Sequence, residues 1–220
     1  IISKARLASV TIRGSLIGGV GSFSGSIAAA NELTTLTITG DIIGGSASGV
    51  ANLERSGSVS AGRIGALTLG GSLIAGTDQA GGTFKDNGAI RVANDIASAT
   101  IKGSIIGNTT NRAMITARGQ LTPTGTTDLA IGKLTVNGRV EHALIHAGIN
   151  PNDSPNGRNA DAQIGPVIVG GDWIASSLVA GALAGVEGQF GTSDDVKISG
   201  SASAPVISGS ITTDGTRLTD

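Results

Sequence analysis

Apolar residues recur two apart along much of this chain, and the alternation itself recurs about every thirty residues. The clearest copy is Leu33 to Gly45, LTTLTITGDIIGG. An apolar residue opens it. An apolar–Thr–apolar triplet, a polar residue and a Gly follow, and a small polar residue, two apolar residues and a second small residue close it. Related stretches are Leu7–Gly19, Ile64–Gly76, Ile96–Asn108, Ile131–Ala143 and Ile164–Ser176. A period of two marks a strand with one buried face. Self-similarity at a fixed longer period marks a stack of repeats, each burying what its neighbour exposes.

The triplets place Val10/Ile12, Leu36/Ile38, Leu67/Leu69, Ala99/Ile101, Leu134/Val136 and Val167/Val169 inward. The residue between them points outward. It is Thr11, Thr37, Thr68, Thr100 and Thr135, with Ile168 the exception. Thr suits a half-solvated strand. Two residues later stands a Gly in every copy: Gly14, Gly40, Gly71, Gly103, Gly138 and Gly171. A Gly held between two apolar strands implies a corner that needs positive φ or close backbone approach. The pairs Leu16/Ile17, Ile42/Ile43, Leu73/Ile74, Ile105/Ile106, Val140/Glu141 and Trp173/Ile174 form a second short strand. A third follows at variable distance, with inward columns Ile27/Val59/Ile90/Ile115/Ile145/Leu178 and Ala29/Ala61/Val92/Ala117/Ala147/Ala180.

Three short strands per turn, each buried on one side, predict an all-β fold: a parallel β-solenoid of about six to seven coils. The coils start near residues 7, 33, 64, 96, 131 and 164, with a partial last coil over 198–211, and residues 1–220 form a single domain. Longer insertions fall at Ser46–Arg55, Thr77–Asn87, Gly119–Ala130, Ile149–Gln163 and Ala182–Asp195. They belong at corners, where solenoids build binding faces.

Composition narrows the chemistry. Gly contributes 36 residues, while the aromatics are Phe23, Phe84, Trp173 and Phe190. The core must therefore be built from Ile, Leu, Val and Ala. The net charge is −1 and no basic stripe appears, which argues against nucleic acid as a partner. There is no cysteine and hence no disulfide framework. No apolar run approaches the ~20 residues of a membrane-spanning helix. The chain begins at Ile1 without a signal-peptide pattern, which suggests a processed chain or a piece of a longer one.

Candidate sites are few. His142 and His146 have a spacing that suits metal on a helix, but here they fall on a strand, where two solvated residues are the simpler reading. The loop GVEGQFGTSDDV sets Glu187, Asp194 and Asp195 among glycines, a composition that suits Ca²⁺. Asn150, Asn152, Asp153 and Asn156 form a weaker second set, open to ordinary turn chemistry. No cluster of acids, bases and nucleophiles lies on one face, so no catalytic residue, cofactor or enzymatic activity is expected. An ice-binding reading of the Thr column is weakened by Lys102, Lys133 and Arg13 in the flanking columns. The ends lack an amphipathic capping helix. Ile1, Ile2 and Leu7 at one end, and Val206, Ile207 and Ile211 at the other, would leave apolar columns open to self-association.

The phrases LTTLTITGDIIGGS, IGALTLGGSLIAGT and IGPVIVGGDWIASSLVAG, with GQFGTSDDV, resemble β-strand-repeat segments of large secreted bacterial surface and adhesin-like proteins. That resemblance implies a parallel β-solenoid outside the cell, in adhesion, matrix or surface fibres. The expectation is a non-enzymatic structural subunit or segment of a fibre, filament or surface layer, stacked head to tail on itself or on flanking repeats. The alternative is a carbohydrate-binding or carbohydrate-cleaving β-helix.

Overall fold

The computed structural model describes residues 1–122, 128–150, 158–186, 188 and 190–198, and the backbone of 211–213 and 218–219. Among them there is no helix, and the chain winds as a parallel β-solenoid. Two sheets carry the winding. In the first, the triplet strands stack in one register, Thr11 on Thr37, Thr68, Thr100, Thr135, Ile168 and Thr212. The third strands stack as Ile27, Val59, Ile90, Ile115, Ile145 and Leu178, as the pattern predicts. Those six rungs are joined by five steps, so the winding makes about five full turns, slightly fewer than the six to seven coils expected. In the second sheet the two-residue strands pair from Leu16–Ile17 up to Trp173–Ile174 and Leu218–Thr219.

The third strand of one coil runs without a break into the first strand of the next at Ser26–Ile38 and Ser58–Leu69. A β-bulge between Ala29 and Glu32 lets that strand turn while keeping its pairing. The core between the sheets is one aliphatic column: Leu33, Leu36, Ile38 and Ile42 are buried, and so are their equivalents in the coils above, up to the half-buried Trp173 that tops the Ile42 column. Each coil repeats this arrangement, so hydrophobic burial and ladder hydrogen bonds grow together along the axis.

The Gly column is explained by close approach alone. None of Gly14, Gly40, Gly71, Gly103, Gly138 and Gly171 has a left-handed φ. Their backbones stack, with Gly40 N–H donating to Gly14 O at 2.9 Å, Gly71 to Gly40 at 2.8 Å and Gly103 to Gly71 at 2.9 Å. A Cβ on Gly103 would stand 2.7 Å from the carbonyl carbon and oxygen of Gly71. The small polar residue after each Gly then finds its role. Ser15 Oγ accepts from Asp41 N–H, Asp41 Oδ1 from Ser72 N–H, Ser72 Oγ from Ser104 N–H and Ser104 Oγ from Arg139 N–H.

Left-handed backbone sits at another corner. Phe23, Arg55 and Asp86 have φ of 62°, 54° and 59°, and Gly25, Gly57 and Gly88 follow two residues later at 53°, 59° and 72°. Between them stand Ser24, Ser56 and Asn87, which bond to one another from coil to coil. Ser24 Oγ meets Ser56 Oγ at 2.9 Å, and Ser56 N–H donates to Asn87 Oδ1 at 2.8 Å. Buried polar groups persist where each has a partner. The insertions of the second and third coils are ordered as well. Ala47–Gly49 pairs with Asp78–Ala80, and Leu53–Glu54 with Phe84–Lys85, so they form a two-coil arm rather than loose loops.

Candidate functional site

The outward column of the third strands carries the most unusual side chains: Ala28, Ser60, Arg91, Thr116, His146 and Val179. Alternation puts them on the outer face, yet Arg91, Thr116, His146 and Val179 are buried. The expectation that His146 is a solvated strand residue is therefore corrected. It is 5 % exposed, because the Ala182–Asp195 insertion folds back over the face as an antiparallel hairpin, Ala182–Leu183 on Val196–Lys197. His146 Nε2 donates to Ala182 O at 2.8 Å, which places the proton on Nε2. Phe190 meets the imidazole edge-on, with centroids 5.2 Å apart. Burial pushes the imidazole down to about 4, against the smaller upward pull of the Ala182 carbonyl. His142 lies four residues earlier at a left-handed corner, φ 45°, and does not share this site.

Two rungs away, Arg91 is 2 % exposed and paired with buried Asp86. Burial holds the Asp86 carboxyl above its ordinary range and the Arg91 guanidinium below its own, with their mutual attraction opposing both shifts. Arg91 Nε and Nη2 and Thr116 Oγ1 find no hydrogen-bond partner among the described residues. These atoms are closed off from solvent, so the pair serves packing and charge compensation and offers no open subsite. Arg55 stacks over the Phe23 ring at 5.6 Å, one corner below.

A second polar column runs where the third strand bends into the next coil. Arg6, Glu32, Arg63 and Asp95 alternate in sign. Arg6 bonds Glu32 at 3.1 Å, and Arg63 bonds Glu32 at 2.9 Å and Asp95 at 3.0 Å. Above it Asp128 accepts from Gln120 N–H and Asn159 Nδ2, both at 2.6 Å, which ties the fourth- and fifth-coil insertions together. Burial raises the Asp95 carboxyl and Arg63 opposes the rise. Composition alone shows none of this, because the partners are about thirty residues apart and only the register makes them neighbours.

The predicted calcium residues are only partly placed. Glu187 lies outside the described residues, as do Asn152, Asp153 and Asn156 of the second set. Asp195 Oδ2 accepts from Gly191 N–H at 2.6 Å, and Asp194 Oδ1 accepts from Thr192 Oγ1 at 2.5 Å. Those bonds close the hairpin tip. Among the described residues no three of His, Cys, Asp and Glu gather as a metal set. A loop that binds Ca²⁺ through Glu187, Asp194 and Asp195 predicts a lower melting temperature on chelation, an effect that Asp194→Ala abolishes. An unchanged melting temperature would reduce the loop to a turn.

The self-association residues sit as follows. Ile1 and Ile2 are 59 % and 76 % exposed, and Leu7 is half-buried where its ladder partner Leu33 is fully buried. At the other end the backbone of Ile211–Thr213 pairs with Val167–Val169, while Val206 and Ile207 lie outside the described residues. No described helix is long and apolar enough to cross a membrane. Comparison with protein-family models, curated proteins and solved structures returned no match, so the fold rests on the register of the chain itself.

Proposed function

We propose that the chain is a non-enzymatic structural module, an extracellular β-solenoid subunit or segment of a fibre, filament or surface layer. The observation that carries this reading is the uniform stacking register. The apolar columns, the Gly column and the Ser15/Asp41/Ser72/Ser104 ladder of the repeated phrase all hold one coil on the next. The resemblance to repeat segments of secreted bacterial surface proteins supports the same placement outside the cell.

The first coil shows how such a module would extend. Gly40, Gly71 and Gly103 each aim their missing Cβ at the Gly of the coil below, and Gly14 has nothing within 4 Å in that direction. Leu7, Val10 and Ile12 are only partly covered, although they continue columns that are fully buried above. A further coil, from a second copy or from adjoining chain, would close them. Sedimentation of the chain at rising concentration is expected to show head-to-tail polymers. Deletion of residues 1–12 should abolish them. Gly14→Val should abolish them too, while leaving the melting temperature of a single copy unchanged. A monodisperse species at high concentration would overturn self-stacking and leave the chain as a segment within a longer rod.

A further inference from the structure

We propose that the Ala182–Lys197 hairpin is an acid-released strap, latched to the solenoid wall by His146. The strap is the one antiparallel pair of strands among the described elements. It lies over a wall whose own ladders are all parallel. Among the described residues the strap meets the wall through the His146 Nε2–H bond to Ala182 O and the edge-on contact of Phe190 with the imidazole, and the Ile198 N–H bond to Gly181 O at 2.9 Å closes its base. It is exposed at Val186 in its middle and at Val196 and Lys197 on its returning strand. An uncharged imidazole fits beneath this cover, but an imidazolium does not, because its second N–H would be buried along with its charge.

Among the described residues, burial and the Ala182 carbonyl are what act on the imidazole, and no carboxylate is bonded to it. On the wall, the ladder neighbours of His146 are Thr116 and Val179, which do not ionise. Arg91, two rungs away, is cationic and already paired with Asp86. On the strap, the carboxylates of Asp194 and Asp195 are turned into the hairpin tip, and Lys197 is exposed. Glu187 belongs to the strap sequence but lies outside the described residues. With the strap closed the imidazole titrates at about 4, and once released it returns to its ordinary 6.5. The released state therefore takes up the proton first. The closed state loses ground as pH falls below 6.5, and the loss levels off near 4. Over that window the closed-to-open ratio falls on the order of 100-fold.

Two measurements test this. His142→Gln leaves His146 as the only histidine, so its ring resonances can be followed by NMR without ambiguity. A midpoint near 4 is expected, and a midpoint near 6.5 would overturn the proposal. Amide hydrogen exchange, corrected for the intrinsic pH dependence, then reads the strap. The opening constant at Leu183, Lys197 and Ile198 should rise on the order of 100-fold between pH 7 and pH 4. The amide of Ile115 in the wall should not change. His146→Phe should hold the strap closed across the whole range. An equal rise in that variant, or no rise in the parent chain, would also sink the idea. Should His146→Phe fail to fold, the midpoint in His142→Gln decides.

Discussion

Gly103→Val is expected to cost about 3 kcal/mol or more, and Gly71→Val a similar amount, in a urea unfolding experiment. The added Cβ of Gly103 would stand 2.7 Å from the Gly71 carbonyl carbon and oxygen and would also meet Ser72 Oγ. At Gly71 it would stand 2.9 Å from the Gly40 carbonyl carbon and collide with the Asp41 carboxylate. Backbone at that distance cannot yield without lengthening the Gly-to-Gly hydrogen bond and tilting the coil. The coils above inherit the tilt, so the defect is not absorbed locally. The strain is steric and not dihedral, since these glycines have ordinary φ. Gly49 makes the contrast: φ there is 70° but nothing lies within 4 Å, so a side chain strains the backbone without a clash. Gly49→Ala is therefore expected to cost about 1 kcal/mol. Equal costs at Gly49 and Gly103 would show that the close column is not tight.

Asp86→Asn is expected to cost about 3 kcal/mol, and more than Arg91→Met. The two residues form a buried pair, and the asymmetry lies in what each can do when left alone. Arg91 cannot shed its proton, so without Asp86 a buried guanidinium keeps its full charge. Asp86 without Arg91 can take up a proton and become neutral, in the direction that burial already pushes it. Asn also keeps the left-handed φ of 59° tolerable, so the loss reports charge rather than backbone strain. The double variant Asp86→Asn/Arg91→Met should recover much of the loss, because desolvation already works against both ions. Additive losses in the double variant would show that the two residues act independently.

Much of the fold was legible in the sequence because a solenoid repeats its instructions. The period-two triplets around Thr37, Thr68 and Thr100 define which face is buried, and the recurrence of the phrase aligns one coil on the next. Six inward positions of the third strand could be assigned in this way, even though the insertions before them differ in length. The Gly column was visible too, but its reason was not. Positive φ and close approach leave the same mark in sequence, and only the stacked Gly71–Gly103 backbones distinguish them. Left-handed non-Gly corners fell instead on Phe23, Arg55, Asp86, His142 and Ala175, and the residue types at those positions share nothing that favours a left-handed backbone.

What the sequence determined by itself is the winding: all-β, parallel, three strands to a coil, with an aliphatic core and an outward Thr column. Those features depend on local alternation and on repetition, and both can be read along the chain. What only the tertiary structure decided is the fate of the outward polar side chains. Alternation turns His146 and Arg91 away from the core, and sequence logic leaves them in water. A hairpin from the far side of Val179 covers the first, and a corner five residues before Arg91 supplies its counter-ion. The Arg6–Glu32–Arg63–Asp95 ladder likewise exists only once register brings residues about thirty apart into contact. Burial of an outward face depends on where the insertions fold, and an insertion without a repeat carries no pattern from which to read its path.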